Sequence, residues 1–210
     1  MLAIIDYGMG NLRNVEMAFR RLGVTPLVTN DPELVAQAQA LVLPGVGAFG
    51  DAMERLRTLG LVDPLRRAID GGRPFMGICL GLQLLFETSE EMGAHRGLAV
   101  LEGTVRRFSD DLTVPHMGWN QIDQTRRDAL FAGVPDRSYA YFVHSYYVAP
   151  RNAGVVAAST DYGPPFASIV AREHLYGIQF HPEKSQDVGA RILRNWLHLA
   201  GIDSIAEAQT

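Results

Sequence analysis

Up to Glu87, short apolar runs alternate with stretches whose apolar residues recur at helical spacing. Leu2 to Ile5 reads as a buried strand, and after the turn Asp6 to Leu12 a helix carries Leu12, Val15, Phe19 and Leu22 on one face. Pro26 to Thr29 is a second short strand. Asp31-Pro32-Glu33 then supplies an N-cap, a proline at the first helical position and an early acid, which together open a helix. Ala40 to Leu43 is a third strand, running into the glycine-rich loop Pro44 to Gly50. Helical patterns at Met53 to Leu56 and Pro64 to Ile69 precede a fourth strand, Phe75 to Ile78, and a helix that opens at Leu80 with Leu84 and Leu85 on its apolar side. Strand and helix alternating in this way predict a parallel sheet with helices on both faces, its ligand-binding groups at the carboxyl ends of the strands.

From Leu98 the texture changes to short strands broken by turn residues: Leu98 to Leu101, Thr104 to Phe108, Gln121 to Asp123, Tyr139 to Val143, Tyr146 to Ala149, Val155 to Ser159, Ala167 to Ala171 and Leu175 to Phe180. A final helix carries Val188, Ile192, Trp196 and Leu199 on its buried side. The expected fold class is therefore α/β: one domain over residues 1–210, with a mixed, mostly parallel central sheet, helices on both faces and a β-rich, partly antiparallel C-terminal half. No linker, repeat or low-complexity tract divides it. Asp203 to Thr210 is polar and is expected to fray.

Composition narrows the classes. With 47% hydrophobic residues in 210, the chain can bury one sizeable core. A net charge of −4, with Lys and Arg scattered, gives no electrostatic footprint for nucleic acid. One cysteine cannot form an internal disulfide, and the apolar run Leu2 to Ile5 is too short for a signal peptide or membrane span, so a cytoplasmic protein without membrane association is expected.

That cysteine, Cys79, sits at the apex of Gly77-Ile78-Cys79-Leu80-Gly81, a strand–turn–helix junction of the nucleophile-elbow kind. A single cysteine in an apolar context also reads as a small buried hydrophobe, and the five-residue pattern alone does not separate the two. Later residues do. His181 and Glu183 stand two apart on an extended segment at the end of the last strand and point to one side, so the carboxylate can orient the imidazole. Cys79, His181 and Glu183 then make a complete nucleophile, base and orienting acid. The loop Pro44 to Gly50 lies where a second oxyanion donor is needed, beside the N–H after the nucleophile. Of the other histidines, His95, His174 and His198 read as surface residues, and His116 and His144 as structural histidines or pocket walls. Gly8 and Gly10 lack the third glycine of a dinucleotide fingerprint, and no metal-ligand spacing occurs. A non-catalytic elbow-fold protein with Cys79 as a redox sensor is the contrasting reading, but a sensor has no use for both His181 and Glu183.

Gly77 to Gln83 together with Gln179-Phe180-His181-Pro182-Glu183 resembles the triad-type class I glutamine amidotransferases. Within them, Asp6 to Leu12, Leu43 to Phe49, Pro115-His116-Met117-Gly118-Trp119-Asn120, Tyr141 to Tyr147 and His181 to Gln186 are similar to the glutaminase subunits of imidazole glycerol phosphate synthases. The chain departs from that pattern at Leu82, Thr113 and Trp196, none of them in the triad. The resemblance implies glutamine hydrolysis through a thioester on Cys79, without cofactor or metal, for histidine biosynthesis; a glutaminase serving another synthase, such as the one making pyridoxal phosphate, shares the elbow. It also implies an oxyanion hole from Leu80, Val46 and Gly47, and a glutamine pocket of Gly47, Gln83, His144, Ser145 and Tyr146. The implied partner is a TIM-barrel cyclase subunit, met by Met9, Asn11, Trp119, Tyr141 and Lys184.

Overall fold

The computed structural model describes residues 1–203; the expectation of a frayed tail lies outside them but for Asp203. Strand β1 (Leu2–Ile5) is buried along its whole length. It pairs in parallel with β2 (Leu27–Thr29) on one side and β3 (Ala40–Gly45) on the other. Parallel neighbours need crossovers, and the expected helix signals provide them. Helix α1 (Leu12–Arg21) is capped by the Asn11 side chain, which accepts from the Asn14 amide. Helix α2 (Pro32–Gln37) is capped by Asp31, which accepts from the Glu33 amide at 2.8 Å. Helices α3 (Phe49–Thr58) and α4 (Val62–Asp70) lead to β4 (Phe75–Cys79), and α5 (Leu80–Gln83) follows it directly.

Two local expectations change here. The helix after Cys79 lasts only to Gln83, and the chain then extends as β5 (Phe86–Ser89). A continuous apolar run such as Leu84-Leu85-Phe86 fits buried helix and buried strand equally. The segment Leu98 to Leu101 is mostly not a strand but a return, with the Leu98 amide donating to Leu84 O at 2.8 Å and the Leu101 amide to Leu85 O at 2.9 Å. After β6 (His95–Arg96), the strand β7 (Leu101–Arg107) starts at the last residue of that segment and takes in the expected strand Thr104 to Phe108 except for Phe108.

The second half supplies β8 (His116–Gln124), β9 (Ser138–His144), β10 (Tyr146–Pro150), β11 (Val156–Asp161), β12 (Pro165–Arg172), β13 (Leu175–Ile178) and α6 (Gln186–Leu199). Among the described residues these complete a nine-stranded sheet ordered β2-β1-β3-β4-β13-β12-β11-β8-β9 and a four-stranded sheet ordered β10-β7-β5-β6. In the large sheet β13 lies parallel to β4, and the pairs from β13 outward to β9 are antiparallel. The fold class is the expected α/β with a mixed sheet, its parallel and antiparallel pairs equal in number rather than mostly parallel.

Alternate residues of the parallel strands feed two cores. Leu2, Ile4, Val42 and Ile78 pack with Val15 and Phe19 of α1 and Ile192 and Trp196 of α6. Ala3, Ile5, Leu41 and Leu43 pack with Met53, Leu56, Leu65 and Ile69 of α3 and α4. With both faces covered, the strands are apolar throughout. In α6 the buried stripe is Gly189, Ile192, Leu193, Trp196 and Leu197; Leu199, expected inside, is 40% exposed because the stripe passes to Ala200 instead.

Candidate active site

The carboxyl ends of β3, β4 and β13 converge on one cavity of about 320 Å³. Cys79 closes β4 with φ 54° and ψ −109°, a left-handed conformation that a side chain rarely adopts. The glycines on either side make this turn possible. A Cβ on Gly77 would stand 2.6 Å from the Gly81 carbonyl oxygen, and one on Gly81 would collide with the Leu43 carbonyl oxygen. Cys79 is only 7% exposed, yet it lines the cavity together with Val46, Gly47, Leu80, Gln83, His144, Ser145, Tyr146, His181 and Lys184. The cavity thus gathers two of the three expected triad residues and every residue expected in the oxyanion hole and glutamine pocket.

His181 leaves the end of β13 on the 3-10 turn Pro182–Lys184. Its amide donates to Tyr141 O at 2.9 Å; the Ser185 hydroxyl donates to His181 O at 2.7 Å and accepts from the Tyr141 amide at 3.0 Å, which ties the turn to β9. Nδ1 lies 2.7 Å from Glu183 Oε1, the side chains being 4% and 1% exposed. A carboxylate only accepts, so Nδ1 carries a proton and Nε2 is the nitrogen that exchanges one with Cys79. Burial lowers the imidazole's proton affinity, but the neighbouring Cys79 and the Glu183 carboxylate outweigh it and push the pKa up to about 10. The influence of Cys79 is that of proximity rather than of an aligned bond: among the described residues Nε2, like Glu183 Oε2, has no hydrogen-bond partner.

Strand β3 runs two residues further than its apolar pattern suggests, so that Gly45 pairs opposite Cys79. The loop therefore starts at Val46, which is 44% exposed, and Gly47 has φ +97°. A Cβ on Gly47 would lie 2.8 Å from the Met9 methyl. Beneath Gly45 is the Tyr7 hydroxyl, buried and without a partner among the described residues; burial and then the nearness of Cys79 raise its pKa. Glu91, which sequence reasoning missed, also lines the cavity and accepts from the Phe49 amide at 2.6 Å at the start of α3.

The pocket's polar wall is a continuous set of hydrogen bonds. Gln83 Nε2 donates to Tyr146 O at 2.9 Å and to Gln179 Oε1 at 3.1 Å, which leaves Gln83 Oε1 for a ligand. His144 Nδ1 lies 2.8 Å from Tyr146 O, so it is the protonated nitrogen, and Nε2 accepts from His116 Nδ1 at 3.0 Å. His116 Nε2 in turn accepts from Asn120 Nδ2 at 3.2 Å. Both rings must be neutral to keep these directions. Burial lowers the pKa of His116 to about 4 and that of His144 to about 3, the latter further depressed by His116 and His181. They are at once structural histidines and, for His144, a pocket wall.

Of the expected partner-facing residues, Trp119 and Tyr141 pair across β8 and β9 with ring centroids 5.9 Å apart, and Lys184 Nζ lies 5.7 Å from the Tyr141 ring. Trp119 is 47% exposed, a surface rather than a core aromatic. Met9 adjoins Gly47, whereas the exposed Asn11 uses its side chain to cap α1. Met117 and Tyr139, 62% and 55% exposed, extend this apolar face and were not expected; the period of two from Trp119 and Tyr141 is the signal that locates them. Among the described residues no group of three or more His, Cys, Asp or Glu is arranged to hold a metal, and no helix is long and apolar enough to cross a membrane.

The family model for the class I glutamine amidotransferases matches residues 3–200. The imidazole glycerol phosphate synthase subunit HisH of Syntrophotalea carbinolica is 55% identical over 203 residues, covering 93% of this chain and 98% of that protein. The subunit of the same name from Geobacter metallireducens is 50% identical, covering 93% and 96%. A solved glutamine amidotransferase, 22% identical, superposes with a TM-score of 0.76 over 95% of this chain and 99% of its own, a likeness of fold.

Proposed function

The chain belongs to the class I glutamine amidotransferases, and from that premise we propose that it is the glutaminase subunit of an imidazole glycerol phosphate synthase, hydrolysing L-glutamine to glutamate and ammonia. The observation that carries this reading is the His181–Glu183 pair, held at 2.7 Å with His181 on the wall of the cavity that Cys79 opens into. The identity of the synthase rests on the relatives named HisH, which match nearly end to end.

His181 Nε2 holds the proton of the Cys79 thiol, as its raised pKa favours, and Cys79 Sγ attacks the side-chain amide carbon of glutamine. The oxyanion so formed is met by the Leu80 N–H and by an N–H from Val46 or Gly47; one such donor contributes roughly a hundred- to thousandfold in rate. His181 then gives its proton to the amide nitrogen, the C–N bond breaks and ammonia leaves a γ-glutamyl thioester. Water, deprotonated by His181, attacks the thioester and releases glutamate and the thiol. Glu183 holds the imidazole in the tautomer each step needs. Gln83 Oε1 suits the substrate's ammonium group, and backbone groups of Gly47, His144, Ser145 and Tyr146 suit the rest.

Ammonia escaping into neutral water becomes ammonium, which is no nucleophile, so the product is best passed directly to a synthase. We assign the exposed Trp119 and Lys184 with the half-buried Met9 and Tyr141, and the exposed Asn11, to the contact with a TIM-barrel cyclase partner in the cytoplasm. Aromatics and a cation at a lip favour such a contact. Incubation with an electrophilic glutamine analogue, followed by peptide mass spectrometry, is expected to give one adduct, on Cys79. An adduct confined to another residue contradicts the nucleophile assignment.

A further inference from the structure

Given the glutaminase reading, we propose that Gln179 is a positioning residue for the nucleophile: its side-chain amide, turned by Gln83, donates to Cys79 Sγ and fixes where the sulfur points.

The orientation of this amide is dictated by its neighbours. Tyr146 O can only accept, so the end of Gln83 that lies 2.9 Å from it is the nitrogen. That nitrogen also faces Gln179 at 3.1 Å, so the Gln179 atom opposite must be the oxygen. The remaining end of Gln179, the NH₂, then faces Cys79 Sγ at 3.7 Å, within reach of a hydrogen bond to sulfur. Both anchors are themselves fixed. The Gln179 amide nitrogen of the backbone donates to Ser168 O at 2.9 Å, and Tyr146 O also receives His144 Nδ1 at 2.8 Å.

Gln179 is fully buried and is not part of the cavity wall, so it cannot touch substrate. Whatever it does for turnover passes through Sγ or through Gln83, which it also holds, and the alkylation rate separates the two. A cysteine side chain has three staggered χ1 wells, and a donor on one side selects among them. The bond strengthens as the sulfur becomes anionic, because charge-assisted bonds are about twice as strong as neutral ones. The donor is thus aimed at the nucleophile's reactive form.

Gln179→Glu keeps an oxygen for Gln83 but offers no N–H to sulfur; Gln179→Met removes both. The measurements are kcat and KM for glutamine in the complex with the cyclase, and the second-order rate constant for alkylation of Cys79 by iodoacetamide. For Gln179→Glu we expect kcat to fall by about ten- to hundredfold with KM within about twofold of wild type. Alkylation should slow by roughly tenfold, and Gln179→Met should slow it likewise. A folded variant, judged by its melting temperature and cyclase binding, that alkylates at the wild-type rate overturns the proposal even if its turnover is lost. If Gln179→Glu does not fold, Gln179→Met decides on the same readouts. Failure of the glutaminase reading looks different: wild type itself would not turn over glutamine, while alkylation would still register the Gln179 contact.

Discussion

His116, His144 and His181 are three buried imidazoles set to opposite states by what faces them. His116 and His144 sit among Phe108, Phe142, Tyr162 and Phe166 and exchange bonds that only neutral rings can make. Their pKa values, about 4 and about 3, lie below the ordinary 6.5, so between those values the unfolded chain binds more protons. Stability therefore falls as pH drops from about 6.5 toward 4. His181, raised to about 10, has the opposite sign: its contribution is full below about 6.5 and is lost as pH rises through 10. The melting temperature should peak near pH 6.5, and His116→Gln with His144→Gln should shallow the acid limb. An acid limb of unchanged steepness in that double variant contradicts the neutral relay. At this scale Cys79, His181 and Glu183 were legible in the sequence because each is a chemically distinctive residue at a strand end. Gln179 stood in the same motif as His181, but its role depends on a partner 100 positions away, and an amide carries no acid–base signature of its own.

The elements whose burial is unambiguous were equally legible. Strands β1, β3 and β4 are apolar throughout because both sheet faces are covered, and the cap Asp31 sits where the Asp-Pro-Glu signal places it, whereas the cap Asn11 emerges only in the structure. Strand β5 was not, since nothing local distinguishes Leu84-Leu85-Phe86 as helix from the same run as strand; its pairing with β7 decides. The last helix shows the same limit at one position. Ile192, Trp196 and Leu199 recur at helical spacing, yet the buried stripe drifts to Leu197 and Ala200. Trp196, its ring tilted against Phe19 with centroids 6.1 Å apart in the core, should cost about 3–5 kcal/mol when replaced by Ala. Leu199→Ala should stay within about 0.5 kcal/mol of wild type. Urea unfolding of the two variants checks this, and equal losses would place Leu199 in the core after all.

Across the whole molecule, two cores hold a single sheet edge in register, and that edge carries everything chemical. The β-rich second half is not a separate body: β13 inserts beside β4, bringing His181 from late in the chain to Cys79, while β8 and β9 extend the same sheet to the exposed aromatics. Sequence order could suggest that His181 lies at a strand end, but only the β4–β13 pairing makes it a neighbour of the elbow. Cys79 as nucleophile is the claim on which turnover, thioester and ammonia delivery all depend. It is tested most directly by steady-state glutaminase turnover of Cys79→Ala bound to the cyclase, beside wild type. No detectable turnover with cyclase binding retained is expected; turnover within about tenfold of wild type would contradict Cys79 as the nucleophile.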